Sequence, residues 1–236
     1  MQGEAPRRVG IAVVLLVVGS AVLLSTLFQG WFITGYRDPY GVFGETFYPT
    51  WVQLWGSSPR GSYSDWVSYF GLNLNHTGVL YSALTLLITF GTAIGFEAAY
   101  QLRPGVDPTP KRIVSSLVIL AVIVAAAGPV AVTIAQPPAT CADWMSASTP
   151  LVVPSNGSGT LPCGWDIYGP NGQGGYGAFS GSTAGPQSSF AGSENGTGYP
   201  HFWEPSVGWY LAWLATAFLL LGALLHFREA KKPSMQ

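Results

Sequence analysis

The sequence predicts an all-α membrane protein: a four-transmembrane-helix bundle under an extracellular cap in which two or three short strands form a small antiparallel β-sheet. Three observations predict it. The chain of 236 residues holds four long uncharged apolar runs, only 9% of it is charged while 14% is aromatic, and its basic residues cluster on one side of those runs. Soluble domains carry about 25% charged residues. The net charge of −1 shows no block of like charge, which argues against a nucleic-acid partner.

Span one is assigned to residues 9–29, VGIAVVLLVVGSAVLLSTLFQ, behind Arg7 and Arg8. A hydrocarbon layer about 30 Å thick takes roughly 20 helical residues to cross, and its backbone groups must be satisfied within the segment. The run is too long for a signal-peptide core and is followed by Trp31 and Phe32 rather than a small-residue cleavage site. It therefore reads as a retained anchor. Span two is residues 78–96, ending at Glu97; span three is 113–136, following Lys111 and Arg112 and containing Pro129, where a kink is expected. Span four is 207–227, ending against Arg228, Lys231 and Lys232.

Four spans put both termini on one side. Assigning residues 1–8, 97–112 and 228–236 to the cytoplasm gathers eight of the ten basic residues there, for a charge of +4, and leaves −5 on the outer segments. Inner loops carry such an excess of Lys and Arg. The expected location is an integral membrane at the cell surface, with N- and C-termini cytoplasmic. The inner connection, 97–112, is short and has three prolines, so spans two and three are expected as an antiparallel pair. Gly19, Ser20, Gly91, Ala93 and Gly95 allow close helix approach, which packing in lipid requires.

The first outer segment, 30–77, is dense in aromatics, including Trp31, Trp51, Trp55 and Trp66, and is expected to be folded. Thr46 to Trp55 reads as a strand despite Pro49, and Tyr63 to Leu72 as a second strand or an interfacial helix. An aromatic belt at headgroup level accounts for the same residues in another way. The second outer segment, 137–206, has 13 Gly, 10 Ser and 9 Pro in 70 residues and no basic residue, a composition of turns and irregular backbone. Tyr176 and Phe179 are its candidate anchors to a neighbouring surface.

Cys141 and Cys163, the only cysteines, both lie in that second segment, where a single disulfide is expected. Two free thiols or half of a metal site are the alternatives, and no CxxC supports metal. Sequons at Asn75, Asn156 and Asn195 fall in outer segments and would make the protein a glycoprotein where the machinery exists.

No chemistry is legible within the spans, which hold no Asp, Glu, Lys or Arg. His226 and Glu97 stand at span edges. His76, His201 and His226 cannot face one another from spans as haem ligands would. The nearest approach to an acid–base or metal group is His201 with Glu204 and Asp166. Gly172 to Gly175 is a glycine cluster without the strand and helix that a phosphate loop needs. No catalytic residue, cofactor or metal is therefore assigned.

Ser25-Thr26-Leu27-Phe28-Gln29-Gly30-Trp31, followed by Gln53-Leu54-Trp55, resembles the first loop of claudin and peripheral-myelin-protein four-span proteins. Such loops carry a Trp just after span one, then Gly-Leu-Trp and two cysteines. Trp31, Leu54 and Trp55 take the matching places; Gln53 stands for the Gly, and the cysteines of that loop are absent. The resemblance implies a sheet on the outer membrane face and lateral or cell-to-cell contacts. The expected function is non-enzymatic: contact through the outer segments with other membrane proteins or with copies of itself, in an adhesion, scaffold or assembly role. The alternative expectation is an accessory subunit of a larger membrane enzyme or transport complex.

Overall fold

A computed structural model describes residues 4–103, 106, 110–147, 181–182 and 201–230. The elements run α1 (Glu4–Ser25), β1 (Phe32–Asp38), β2 (Gly41–Phe47), β3 (Val52–Ser58), β4 (Gly61–Val67), α2 (Asn75–Gln101), α3 (Lys111–Ala147), β5 (Gly181–Ser182), β6 (His201–Pro205) and α4 (Val207–Ala230). Short 3-10 turns at Thr26–Phe28 and Phe70–Leu72 close α1 and introduce α2. The chain divides into two compact units: residues 1–28, 84–130 and 208–236 form one, and residues 29–83 and 131–207 the other.

The first unit is helical. Each of the four helices contains a segment long and apolar enough to cross a membrane: Gly10–Phe28, Asn75–Gln101, Lys111–Gln136 and Val207–Arg228. Their outward faces are as apolar as their inward ones, with Val14, Leu86, Phe90, Ile123 and Leu224 exposed and Leu16, Leu23, Ile88, Val118 and Leu219 buried. A helix apolar all round suits lipid rather than water, so the chain is a four-span membrane protein.

Small residues set the helix spacing, as lipid gives no hydrophobic drive to hold helices together. Gly19 of α1 lies under Leu219 and the Ala215 carbonyl of α4; Gly222 of α4 reciprocally lies under Leu16 and the Ala12 carbonyl of α1. A Cβ on Gly19 would stand 2.9 Å from Leu219 Cγ. Gly95 of α2 admits Ser20 of α1, and Gly91 packs on Leu23 and Val124.

The third helix departs from expectation. It runs through Pro129 and on through Pro137 and Pro138 to Ala147, so the outer segment 137–206 begins as helix and Cys141 stands on it. Proline within a helix removes a donor, and nearby groups commonly compensate. At Pro129 the indole N–H of Trp209 donates to the proline carbonyl at 3.2 Å.

The second unit is built on an antiparallel sheet of six strands in the order β4-β3-β2-β1-β6-β5. This exceeds the two or three strands expected. Thr46 to Trp55 is not one strand: β2 ends at Phe47, the chain reverses around Pro49, and β3 begins at Val52. The Tyr48 N–H donates to the Trp51 carbonyl at 2.9 Å across that reversal. Proline fixes its own φ and has no N–H to offer a ladder, which suits a turn and not a central strand. Tyr63 to Leu72 divides likewise into the end of β4 and the 3-10 turn, closed by Asn73 at φ 56°.

Register is fixed along the sheet: Phe32 pairs with Phe47 and with Pro205, Glu45 with Thr34 and with Leu54, and Leu54 with Asp65. Alternation places Phe32, Thr34, Phe43, Glu45, Phe47, Val52 and Leu54 on one face. Phe47 and Val52 are fully buried there, and Phe47 lies 6.0 Å from the ring of Tyr81 on α2. Phe43 and Tyr63 both fold over Gly56, while the Trp55 ring covers Gly44, where a Cβ would stand 2.6 Å from it.

Replacing Gly19 or Gly222 by Leu should push α1 and α4 apart and destabilise the protein by about 1–3 kcal/mol, the range for overpacking. Thermal unfolding in mild detergent measures this, with Val14→Leu on an exposed position as the neutral control.

Candidate functional site

Two buried polar groups and one exposed aromatic surface stand out in the sheet unit, and the sequence reading singled out only part of the surface. The first polar group is Glu45. It occupies an inward position of β2 between Phe43 and Phe47, and its Oε2 is buried with no hydrogen-bond donor among the described residues. Burial pushes the Glu45 carboxyl above the ordinary carboxylate range. A buried charge without a partner costs far more than a buried neutral acid, which is the physical cause of that upward shift.

Beside it, Tyr69 stacks on Tyr81 with ring centroids 5.3 Å apart, and both stack on Phe47. The Tyr69 hydroxyl donates to the Tyr48 carbonyl. Its phenol is held well above the usual tyrosine value, chiefly by burial and then by the nearby Tyr81 and Glu45. Glu45 and Tyr69 thus stand near one another in an aromatic layer where desolvation raises the pKa of both.

The second polar group is Asp143 on the extension of α3, fully buried. Its Oδ1 accepts from the backbone N–H of His76 at 2.6 Å and lies 2.9 Å from that residue's Nδ1; its Oδ2 accepts from the N–H of Thr77 at 2.7 Å. The first N–H groups of a helix have no partner within it. Asp143 supplies that partner to α2 from another helix, with a negative charge at the positive end of the helix dipole. The His76 side chain is 58% exposed, so the pair is open on one side.

The aromatic surface contains Tyr48, Trp51 and Trp66, whose rings lie 5.0–6.0 Å apart. Trp66 is 52% exposed, and Tyr63 and Tyr40 are exposed as well. Trp55 is half-buried and donates from Nε1 to Thr46 Oγ1 at 3.0 Å. Of the expected contact residues, Trp66 is open and Trp51 and Trp55 are half-buried. Trp31 is a correction: it is fully buried, with its N–H donating to Phe47 and its carbonyl accepting from Ser206, and so offers nothing to a partner. Tyr176 and Phe179 lie outside the described residues.

Other sequence candidates fall apart or outside. Glu97 accepts from Gln101 at 2.7 Å and His226 Nε2 stands 3.1 Å from Ser115 Oγ, so the two span-edge groups do not meet. Asp166 lies outside the described residues, as does the side chain of His201. Cys163 lies outside them too, and with it the expected disulfide to Cys141. Asn156 and Asn195 are also outside. Asn75 begins α2 and is exposed, while the hydroxyl-bearing Thr77 of its sequon is fully buried. Among the described residues no three His, Cys, Asp or Glu side chains gather as a metal group.

Glu45 and Asp143 were both missed by the sequence reading. The alternation Phe43-x-Glu45-x-Phe47 was the available signal for the first. For Asp143 the signal was weaker: a run free of glycine from Ile134 to Ala147, masked by its two prolines. No family model and no curated protein sequence matches the chain.

Two predictions follow from these groups. A carboxyl whose folded pKa is raised contributes stability that is complete below its unfolded pKa and is lost as pH rises through the folded value. Unfolding midpoints should therefore fall as pH rises from the acid range toward neutrality, and Glu45→Gln should flatten that slope and raise the midpoint at neutral pH. Asp143→Ala should cost about 1–2 kcal/mol, the upper range for a lost helix cap, and speed hydrogen exchange at the first amides of α2; Asp143→Asn should restore part of it.

Proposed function

We propose that this four-span membrane protein acts by contact, without catalysis, through the strands that follow span one. The observation that carries this reading is the state of β4. It is the edge strand of a six-stranded sheet, it is exposed from Gly61 to Trp66, and it carries exposed Tyr63 and Trp66. Soluble folds guard such edges with charged residues, proline or a covering element; β4 has no lysine and no proline, and its one charge is Asp65. Exposed aromatics on a strand that is at the sheet edge among the described residues mark a partner surface.

The partner is another membrane protein, copies of this chain included. The charge asymmetry of the sequence supports cytoplasmic termini, an outward sheet and a cell-surface location. The resemblance of Trp31 and Leu54-Trp55 to the claudin and peripheral-myelin type points the same way, since it implies a sheet with lateral or cell-to-cell contacts.

Photocrosslinking in intact membranes tests the reading. A photoreactive residue at Tyr63 should capture a discrete protein neighbour, and Trp66→Ala should reduce the yield. Capture of nothing, with monomeric behaviour in the membrane, would overturn it. A captured redox or transport enzyme in fixed stoichiometry would select the accessory-subunit form of contact over adhesion.

A further inference from the structure

The strand ends divide the exposed aromatics into two groups. Among the described residues, the connections of α1, α2 and α4 with the sheet all lie at one end of it. The chain enters β1 at Phe32 from α1, leaves β4 at Val67 for α2, and leaves β6 at Pro205 for α4. Phe32 pairs with Phe47 and Pro205, and Val52 with both Phe47 and Val67, so these positions form one row across the sheet. Tyr40 sits in the turn at the opposite end.

Phe70 lies beyond the helix-connected end, in the 3-10 turn between β4 and α2. That turn folds back on α2. A Cβ on Gly78 would stand 2.9 Å from the Tyr69 Cβ and 3.4 Å from the tip of the Phe70 ring, and only glycine permits the approach. Tyr69 turns inward to stack on Tyr81. Phe70 turns outward, 60% exposed, level with the first turns of α2, where the neighbouring Val79 is 64% exposed.

Those turns belong to the segment Asn75–Gln101, which is apolar enough to cross a membrane. The exposed Phe70 ring thus lies beside Gly78, one residue before the exposed Val79, at the start of that apolar segment. Aromatic side chains are favoured at the boundary between headgroups and acyl chains. We infer that Phe70 is a lipid-facing wedge, seated in the bilayer's headgroup–acyl boundary, that anchors the β4–α2 connection to the membrane surface. The occupant of this surface is phospholipid, not protein. The inference rests on the membrane-spanning reading of α2 and not on the contact role of β4.

The experiment places benzoylphenylalanine at position 70, or at Tyr40 as control, in the full chain reconstituted in phosphatidylcholine vesicles. After irradiation, intact-mass analysis should show a phospholipid adduct at position 70 and none at position 40. A protein adduct at 70, or equal lipid adducts at both positions, would overturn the inference. A second measurement guards against silent photochemistry. Phe70→Trp adds emission that bromines high on the acyl chain should quench, for a ring about 5–10 Å into the boundary, whereas emission added by Tyr40→Trp should not respond. Unquenched emission at position 70 would equally overturn the wedge. Contact capture at Tyr63 is a separate readout, so either proposal can fail alone.

Discussion

The sheet depends on how Trp31 is held. Its N–H donates to the Phe47 carbonyl at 2.7 Å and its carbonyl accepts from the Ser206 N–H at 3.0 Å. One fully buried residue thereby ties the start of β1 to the end of β2 and to the residue that separates β6 from α4. The large indole has no exposed surface, so it contributes the apolar burial that offsets the ordering of three chain segments at one place. From this point the β1–β2 and β1–β6 registers run outward without a slip. A one-residue slip would turn every inward side chain to the other face.

Burial around that point is selective about charge. Glu45, partly buried on the inner face, is shifted toward its neutral form by desolvation. Asp143 is accommodated in the opposite way. Two backbone N–H groups of α2 satisfy its oxygens, and the end of the helix supplies positive potential. The same side-chain chemistry is therefore accommodated in two ways, by disfavouring the charge and by pairing it.

Glycines and large apolar side chains act together in both units. In the helices, Gly19 and Gly222 each receive a leucine from the facing helix. In the sheet, Gly44 and Gly56 each lie under rings from neighbouring strands, so backbone that would otherwise be bare is covered and the strand gains a packing partner. The high glycine content is thus not only a property of turns. It sets the distances at which these large side chains fit.

The spans were determined by the sequence alone, because a 20-residue apolar run without charge leaves the backbone no partner except its own next turn. The placement of Trp55 in a folded aromatic segment after span one was equally legible. Only the tertiary structure decided the rest. The strand His201–Pro205 joins β1 from more than 160 positions away, and nothing in its own composition names that partner. Asp143 finds the start of α2 across 66 and 67 positions, and Trp31 turns inward although its neighbours read as a surface belt. Helix formation in lipid is local, whereas strand pairing, capping from another helix and the choice of buried face are settled by contacts distant in the chain.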